Sequence, residues 1–153
     1  MAGEVFVAAR REGSNQRRGA GLLDPRRLKD KAEDVCILLV EDEPLIREIM
    51  SESLMEAGFD VVGAGSGDEA LSLFEARPGH FTLLVTDFHM PGEMDGAAIA
   101  ARLRDHAPDL PVIIASGRPE IFKPTWRTAL GYVLLTKPYR PRELVGLARS
   151  LLV

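Results

Sequence analysis

Two patterns of hydrophobic and polar positions alternate along the chain from residue 35 onwards. Short, continuous apolar runs are typical of buried strands, whereas apolar residues at every third or fourth position are typical of helices. The runs that predict strands are Val35–Val40, Val61–Ala64, Phe81–Thr86, Leu110–Ala115 and Tyr132–Leu135. Each is followed by a helical or partly helical segment. This alternation predicts an α/β fold with a five-stranded parallel sheet and helices on both faces.

Local signals mark where most of the helices begin and end. Pro44 suits the first turn of a helix and Gly58 suits its end. The remaining predicted helices run from Gly67 to Pro78, from Asp95 or Gly96 to about His106, and from Pro141 to Leu152. The segment from Gly117 to Leu130 is poorly defined, because two prolines interrupt it, and we expect only a short helix there.

Residues 1–34 differ from the rest of the chain. From Arg10 to Lys31 the sequence is rich in Arg, Lys and Gly and contains only three large apolar side chains. So little apolar material cannot offset the entropy of ordering, so we predict a disordered extension and a folded domain over residues 35–153. A solvated tail, or a start codon assigned too far upstream, is favoured over a basic arm that contacts nucleic acid or membrane.

Composition excludes several classes of protein. The 153 residues fit one domain, and a net charge of only -4 favours neither nucleic acid nor acidic substrates. Cys36 is the only cysteine, so an internal disulfide and a cysteine-based metal cluster are excluded, and we expect a buried, inert thiol. No apolar run approaches the roughly 18 residues of a membrane span. Together with arginines that follow rather than precede the first apolar residues, this predicts a cytoplasmic protein.

Polar residues follow four of the five predicted strands. Glu41 and Asp42 follow the first strand, Asp87 the third, Ser116 the fourth and Lys137 the fifth. Ligands of open parallel sheets bind beyond the carboxyl ends of the strands, so these side chains are expected to meet. Any one of them alone would be more simply interpreted as a turn, capping or solvated residue. Their joint occurrence at four strand ends favours a functional site.

The chemistry of this set is that of phosphoryl transfer. Three carboxylates repel one another unless a cation joins them, and Mg²⁺ prefers such oxygen ligands. A carboxylate so held can form an aspartyl-phosphate. The Lys137 ammonium and the Ser116 hydroxyl could then stabilise charge on the transferred group. Asp87 is therefore the predicted phosphoacceptor.

Five segments with these residues resemble the receiver domain of two-component response regulators, over about residues 35–153. They are Leu38-Leu39-Val40-Glu41-Asp42-Glu43, Val85-Thr86-Asp87-Phe88-His89-Met90-Pro91, Met94-Asp95-Gly96, Ala115-Ser116-Gly117 and Thr136-Lys137-Pro138. The resemblance implies a doubly wound, flavodoxin-like sheet with strand order 2-1-3-4-5. It also implies phosphorylation by a histidine kinase or a histidine phosphotransfer protein, and because no output domain follows Leu152 we expect a stand-alone receiver.

The resemblance assigns a role to each matching residue. It implies that Asp87 is the phosphoacceptor, Ser116 the switch hydroxyl and Lys137 the lysine that contacts the phosphoryl group. The implied Mg²⁺ ligands are Glu41 (through water), Asp42, Asp87 and the backbone carbonyl of His89. His89 and Arg118 occupy positions that border the phosphoryl group, and the bond before Pro138 is expected to be cis.

The chain departs from the family pattern at residues that would transmit the effect of phosphorylation from the site to the surface. Receivers often carry an aromatic residue where this chain has Leu134, and Tyr132 lies two residues earlier, on the same strand face. We expect Tyr132 to be a packed core residue. Trp126, in the proline-rich segment, is equally consistent with a partner surface and with packing on the core. His80 and His106 are expected to be solvated.

We predict a phosphoacceptor switch that is not an enzyme and that signals by protein–protein contact, as a monomer or a phosphorylation-dependent dimer. A phosphate sink and a relay intermediate remain open. The main alternative is a constitutive interaction module that phosphorylation does not control. An aspartyl-phosphate phosphohydrolase is less favoured, because His89 rather than a second aspartate lies two residues after Asp87.

Overall fold

A six-stranded sheet forms the centre of the computed structural model, which describes residues 6–8 and 36–152. The strands are β1 (Phe6–Ala8), β2 (Cys36–Val40), β3 (Asp60–Ala64), β4 (Leu83–Asp87), β5 (Val112–Ser116) and β6 (Val133–Thr136). Their spatial order is β1-β3-β2-β4-β5-β6, and β2 to β6 are all parallel. Counted without β1, the order is 2-1-3-4-5, so the predicted topology is confirmed.

Strand β1 was not predicted. It pairs antiparallel with β3, with Phe6 opposite Gly63 and Ala8 opposite Val61. On this side β3 would otherwise end the sheet with unpaired backbone groups, and β1 satisfies some of them. Three residues of the stretch predicted to be disordered therefore form a strand. The rest of residues 1–35 lies outside the described residues, so disorder there stays a prediction.

The predicted helices all form, with ends close to those expected. They are α1 (Pro44–Glu56), α2 (Gly67–Ala76), α3 (Gly96–His106), α4 (Pro124–Thr128) and α5 (Pro141–Leu152), with a 3₁₀ turn at Pro119–Ile121. Capping explains two of the starts. Ser66 Oγ accepts a hydrogen bond from Glu69 N at 3.1 Å, and Asp95 Oδ1 accepts one from Ala98 N at 2.8 Å.

Two apolar clusters lie on opposite faces of the sheet. Leu38 belongs to the cluster that contains buried residues of α2 and α3, whereas its neighbours Ile37 and Leu39 belong to the cluster with α1 and α5. Successive strand residues point to opposite faces, which divides the helices between the two layers. Cys36 lies in the first cluster, and burial raises the pKa of its thiol to about 12, as expected of an inert core cysteine.

The proline-rich segment folds back onto the sheet. Trp126 of α4 is half-buried, with its ring centroid 5.8 Å from that of Phe88 and 5.2 Å from that of Phe122. Tyr132 is buried beneath the Arg104 guanidinium, which lies 4.7 Å from the ring centroid. Tyr132 is thus the packed tyrosine that was expected, and Trp126 packs on the core. None of the helices in the described ranges has the length and apolarity needed to cross a membrane.

Candidate functional site

The polar residues singled out in the sequence lie at one edge of the sheet. In the register of the parallel strands, Asp87 is opposite Ala115 and Ser116 is opposite Thr136. Val40, just before Glu41, is opposite Thr86. The carboxyl ends of β2, β4, β5 and β6 therefore finish side by side, and the residues that follow them share one site.

Three carboxylates form the centre of this site. Glu41, Asp42 and Asp87 each offer an oxygen atom, and these atoms lie within 4.8 Å of one another. Glu41 and Asp87 are buried, whereas Asp42 is exposed. Burial, a hydrogen bond with Asp87 and the Asp87 charge together raise the pKa of Glu41 to about 8. A hard divalent cation would relieve this crowding, so the donor set fits Mg²⁺.

Lys137 supplies the positive charge of the site. Its Nζ lies 2.8 Å from Asp87 Oδ1. Burial acts to lower the pKa of Lys137, but the hydrogen bond to Asp87 and the nearby carboxylates outweigh it, so the net pKa is raised. Lys137 therefore stays protonated at neutral pH. The Lys137–Pro138 peptide bond is cis, as the resemblance implied.

Ser116 is the buried last residue of β5. Its Oγ accepts a hydrogen bond from Arg118 N at 2.9 Å, and its carbonyl accepts one from Lys137 N at 2.9 Å. The predicted switch hydroxyl is thus linked through the backbone to the predicted phosphoryl-contacting lysine.

The end of β4 is held by close backbone contacts. Phe88 N donates to Ala115 O at 2.8 Å, and Gly96 N donates to Phe88 O at 2.7 Å. A Cβ at Gly96 would lie 2.2 Å from the carbonyl oxygen of Asp87, far inside van der Waals contact. Only glycine lets the start of α3 approach the candidate phosphoacceptor this closely.

Two residues at the site were missed in the sequence. Arg47 is buried and donates from Nη1 to Glu41 O at 2.6 Å. It lies in a helix, where an arginine usually indicates a solvated face, so the pattern gave no signal. Tyr139 lies close enough to Asp87 and Glu41 that burial and these two charges raise the pKa of its hydroxyl. The position of Tyr139 directly after Lys137-Pro138 could have indicated that it lies near the site.

Four other residues noted in the sequence stand apart from the cluster. His89 is exposed and its ring packs edge-on against Phe88, and ligation by its carbonyl stays a prediction. Arg118 is exposed and pairs with Glu120 at 3.3 Å. His80 and His106 are exposed, as expected, and His106 pairs with Glu75.

Comparison with known families decides the class of this protein. The profile of the response regulator receiver domain matches residues 37–149. The chain belongs to this family. Members of the family are phosphoacceptor switches of two-component signalling, and they interact with histidine kinases and phosphotransfer proteins.

Curated relatives of this receiver occur in different kinds of protein. The probable transcriptional regulator ycf27 of Porphyridium aerugineum is 35% identical over 119 residues, which are 76% of this chain and 47% of that protein. The response regulator receiver protein CpdR of Brucella abortus (strain 2308) is 32% identical, over 76% of this chain and 96% of CpdR. The receiver thus spans about half the length of relatives such as ycf27.

Solved structures of receivers share the fold. The receiver domain of the hybrid histidine kinase CckA is 30% identical, with a TM-score of 0.66 over 77% of this chain and 99% of that one. The response regulator TrrA of Thermotoga maritima, solved in complex with Mg²⁺ and BeF, is also 30% identical. Its TM-score is 0.67, over 77% of this chain and 99% of TrrA.

Proposed function

We propose that Asp87 accepts a phosphoryl group from a histidine kinase or a histidine phosphotransfer protein, and that this modification switches the receiver between two states. The observation that carries the proposal is the environment of one carboxylate. Asp87 is buried, is paired with Lys137 at 2.8 Å, and lies in a cluster with Glu41 and Asp42. This arrangement of one cation beside crowded carboxylates suits a nucleophile that attacks an anionic group.

The transfer joins the donor to a side chain of this edge, with Mg²⁺ as the required ion. A carboxylate oxygen of Asp87 attacks the phosphorus of phosphohistidine, an O–P bond forms, and the P–N bond breaks. The electron pair of that bond stays on the imidazole nitrogen, and a proton that the other ring nitrogen carries, or that water supplies, leaves the donor histidine neutral. Lys137 is protonated throughout and offsets the charge of the transferred group.

The acidic cluster is the proposed Mg²⁺ site. Asp42, Asp87 and the backbone carbonyl of His89 would hold the ion, with Glu41 acting through water. A bound Mg²⁺ supplies positive charge beside the phosphoryl oxygens. The support from this chain is the raised pKa of Glu41, because burial and the neighbouring Asp87 make the ion-free cluster costly to ionise fully.

Ser116 and Lys137 are proposed to convert the modification into a change of shape. The Ser116 hydroxyl would donate to a phosphoryl oxygen. The hydrogen bond from Lys137 N to Ser116 O joins the two backbones, so that a displacement of one residue displaces the other. The output is protein–protein contact through the face formed by α4 and α5, rather than catalysis on a separate substrate. A cytoplasmic location is part of the same proposal.

The surface beside Lys137 supports docking of a phosphodonor protein. Leu45 and Ile49 of α1 are the most exposed large apolar side chains in the described part of the chain, at 68% and 43%. An apolar groove next to them is lined by Ile46, Met50, Gly117, Lys137, Pro138 and Tyr139. An apolar surface with a cation at its rim suits a partner that brings a phosphoryl group.

Intact-mass spectrometry tests the proposal. The protein is incubated with acetyl phosphate and Mg²⁺, and we expect a gain of about 80 Da, the mass of one phosphoryl group replacing hydrogen. Asp87→Ala should abolish the gain. Asp109→Ala is the matched control, because Asp109 is an exposed carboxylate before the opposite end of β5.

Each other outcome points to a different function. No gain in the unmodified sequence would contradict the switch and favour a constitutive interaction module. A gain that persists in Asp87→Ala would move the site to another residue, with His89 the first candidate. Rapid turnover of varied phosphate esters would instead indicate a phosphohydrolase.

A further inference from the structure

Arg47 is an unusual residue for its position in α1. Its relative exposure is 6%, although Leu45 and Glu48 beside it in the sequence are exposed. Arginine is almost never buried without a polar partner. One partner here is the backbone carbonyl of Glu41, which accepts a hydrogen bond from Arg47 Nη1 at 2.6 Å. The guanidinium therefore lies against the backbone of the acidic cluster.

The carbonyl that Arg47 holds belongs to the peptide that joins Glu41 to Asp42. A peptide group is planar, so fixing this oxygen also fixes the orientation of the Asp42 N–H and the position of the Asp42 Cα, from which the side chain starts. Two further bonds hold Glu41, because its N donates to Ala64 O at 2.9 Å and its Oε2 accepts from Glu43 N at 3.2 Å. Neither of these bonds involves the Glu41 carbonyl oxygen. The hydrogen bond from Arg47 is the one that holds this oxygen.

The guanidinium is confined on a second side by the loop between β3 and α2. A Cβ at Gly65 would lie 3.1 Å from Arg47 Nη1 and 3.7 Å from Glu69 Oε1. Glu69 Oε1 accepts a hydrogen bond from Gly65 N at 2.8 Å, which fixes this loop. Arg47 thus lies between a fixed loop and the peptide of the acidic pair, with little freedom to move.

We propose that Arg47 is a positioning residue for the metal site, and that it orients the Glu41–Asp42 peptide so that both carboxylates face the same ion. This inference rests on the proposed function, since it requires the acidic cluster to bind Mg²⁺. In this role Arg47 acts through the Glu41 carbonyl rather than on the ion or the phosphoryl group. Partners of this kind, which orient metal ligands without touching the metal, typically contribute about 10- to 100-fold to metal affinity.

A magnesium titration followed by two-dimensional amide NMR tests this role. We expect Arg47→Met, which keeps an unbranched side chain but removes the donors, to weaken Mg²⁺ binding by about tenfold or more. Arg47→Lys keeps a charge and a donor and should recover part of the affinity. The Asp42 amide resonance should also move in the ion-free Arg47→Met protein, because its peptide loses its anchor.

Leu54→Ala is the matched control for a merely structural effect. Leu54 is a fully buried residue of the same helix and belongs to the apolar cluster shared with α5, so its truncation should lower the unfolding midpoint while leaving the Mg²⁺ dissociation constant unchanged. If Arg47→Met does not fold, Gly65→Ala displaces the guanidinium from the opposite side and should weaken Mg²⁺ binding in the same direction.

The possible results separate this inference from the proposed function. An unmodified protein that binds Mg²⁺, with Arg47→Met and Gly65→Ala of equal affinity, would overturn the role of Arg47 and leave the phosphoacceptor proposal standing. An unmodified protein that binds no Mg²⁺ would overturn both. Weaker binding in the Arg47 variants, with unchanged binding in Leu54→Ala, is the result that the inference predicts.

Discussion

At Gly96 the space beside Asp87 admits only one residue type. Its N–H donates to Phe88 O at 2.7 Å, and the space where a Cβ would project is filled by the backbone of Asp87 and Phe88. No larger residue fits without moving the end of β4, on which the candidate phosphoacceptor lies. The requirement for glycine is therefore one of space, and it couples the start of α3 to the site.

Gly96→Ala is expected to lower the free energy of unfolding by about 3 kcal/mol, the upper part of the range for overpacked sites. Urea unfolding followed by circular dichroism measures this change. Gly146→Ala in α5 is the matched control, because nothing lies within 4 Å of its Cβ position. Alanine there should stabilise the protein by about 0.5–1 kcal/mol. A Gly96 variant as stable as the unmodified protein would contradict the steric account.

The residues of the site differ in how far the sequence reveals them. Asp42, Asp87 and Lys137 could be predicted, because each follows an apolar run whose end must lie at the carboxyl edge of a parallel sheet. Arg47 could not, because helical periodicity says which face a residue occupies and not whether a guanidinium turns back to a backbone carbonyl. That contact depends on the packing of α1 against the loop after β3.

At the scale of elements, α4 is where this receiver departs from the family pattern. Pro119 and Pro124 limit the segment to a 3₁₀ turn and a five-residue helix. Trp126 of α4 nevertheless contacts Phe88, the residue directly after Asp87, and Tyr132 N donates to Trp126 O at 2.8 Å. Phe88, Trp126 and Tyr132 therefore connect the site to α4 and to the start of β6, the strand in which Leu134 lies where receivers often have an aromatic residue.

Trp126 fluorescence is expected to report on the site. Addition of Mg²⁺ and beryllium fluoride should change the emission, because a shift of the Phe88 backbone alters the ring against which Trp126 packs. Trp126 is the only tryptophan, so the signal is unambiguous. Asp87→Asn should show no change. Unaltered emission from a protein that demonstrably binds beryllium fluoride would exclude Phe88 and Trp126 as part of the relay.

At the scale of the whole molecule, crowding of the carboxylates, which Lys137 offsets only in part, opposes stability until a metal ion binds. Glu41 and Asp87 are both buried, and their proximity helps raise the pKa of Glu41 to about 8. A ligand that binds only the folded state stabilises it increasingly with concentration, by about 2.7 kcal/mol at one hundred times its dissociation constant. Folding and metal binding should therefore be coupled in this receiver.

The thermal midpoint is expected to rise with Mg²⁺ concentration. Differential scanning fluorimetry over a Mg²⁺ series measures the shift. Asp42→Asn should remove most of it, because one ligand charge is lost, while its ion-free midpoint should equal or exceed that of the unmodified protein. Midpoints that do not depend on Mg²⁺ would show that the cluster does not bind the ion.

The fold as a whole was largely predictable, because alternating strands and helices of this length leave few arrangements other than a parallel sheet with two helical layers. Strand β1 was the exception. A three-residue strand carries too little pattern to be recognised, and its pairing depends on the edge that β3 presents. Such pairing is a property of the assembled sheet rather than of the segment.

Chemical location of the phosphoryl group tests the central claim most directly. The protein is phosphorylated with acetyl phosphate and Mg²⁺ and treated with sodium borohydride, which reduces an acyl phosphate to an alcohol. Peptide sequencing by mass spectrometry then finds the reduced residue. The account predicts homoserine in place of Asp87 and at no other aspartate. Reduction at Asp42 instead, or a stable phosphohistidine at His89 with Asp87 intact, would contradict it.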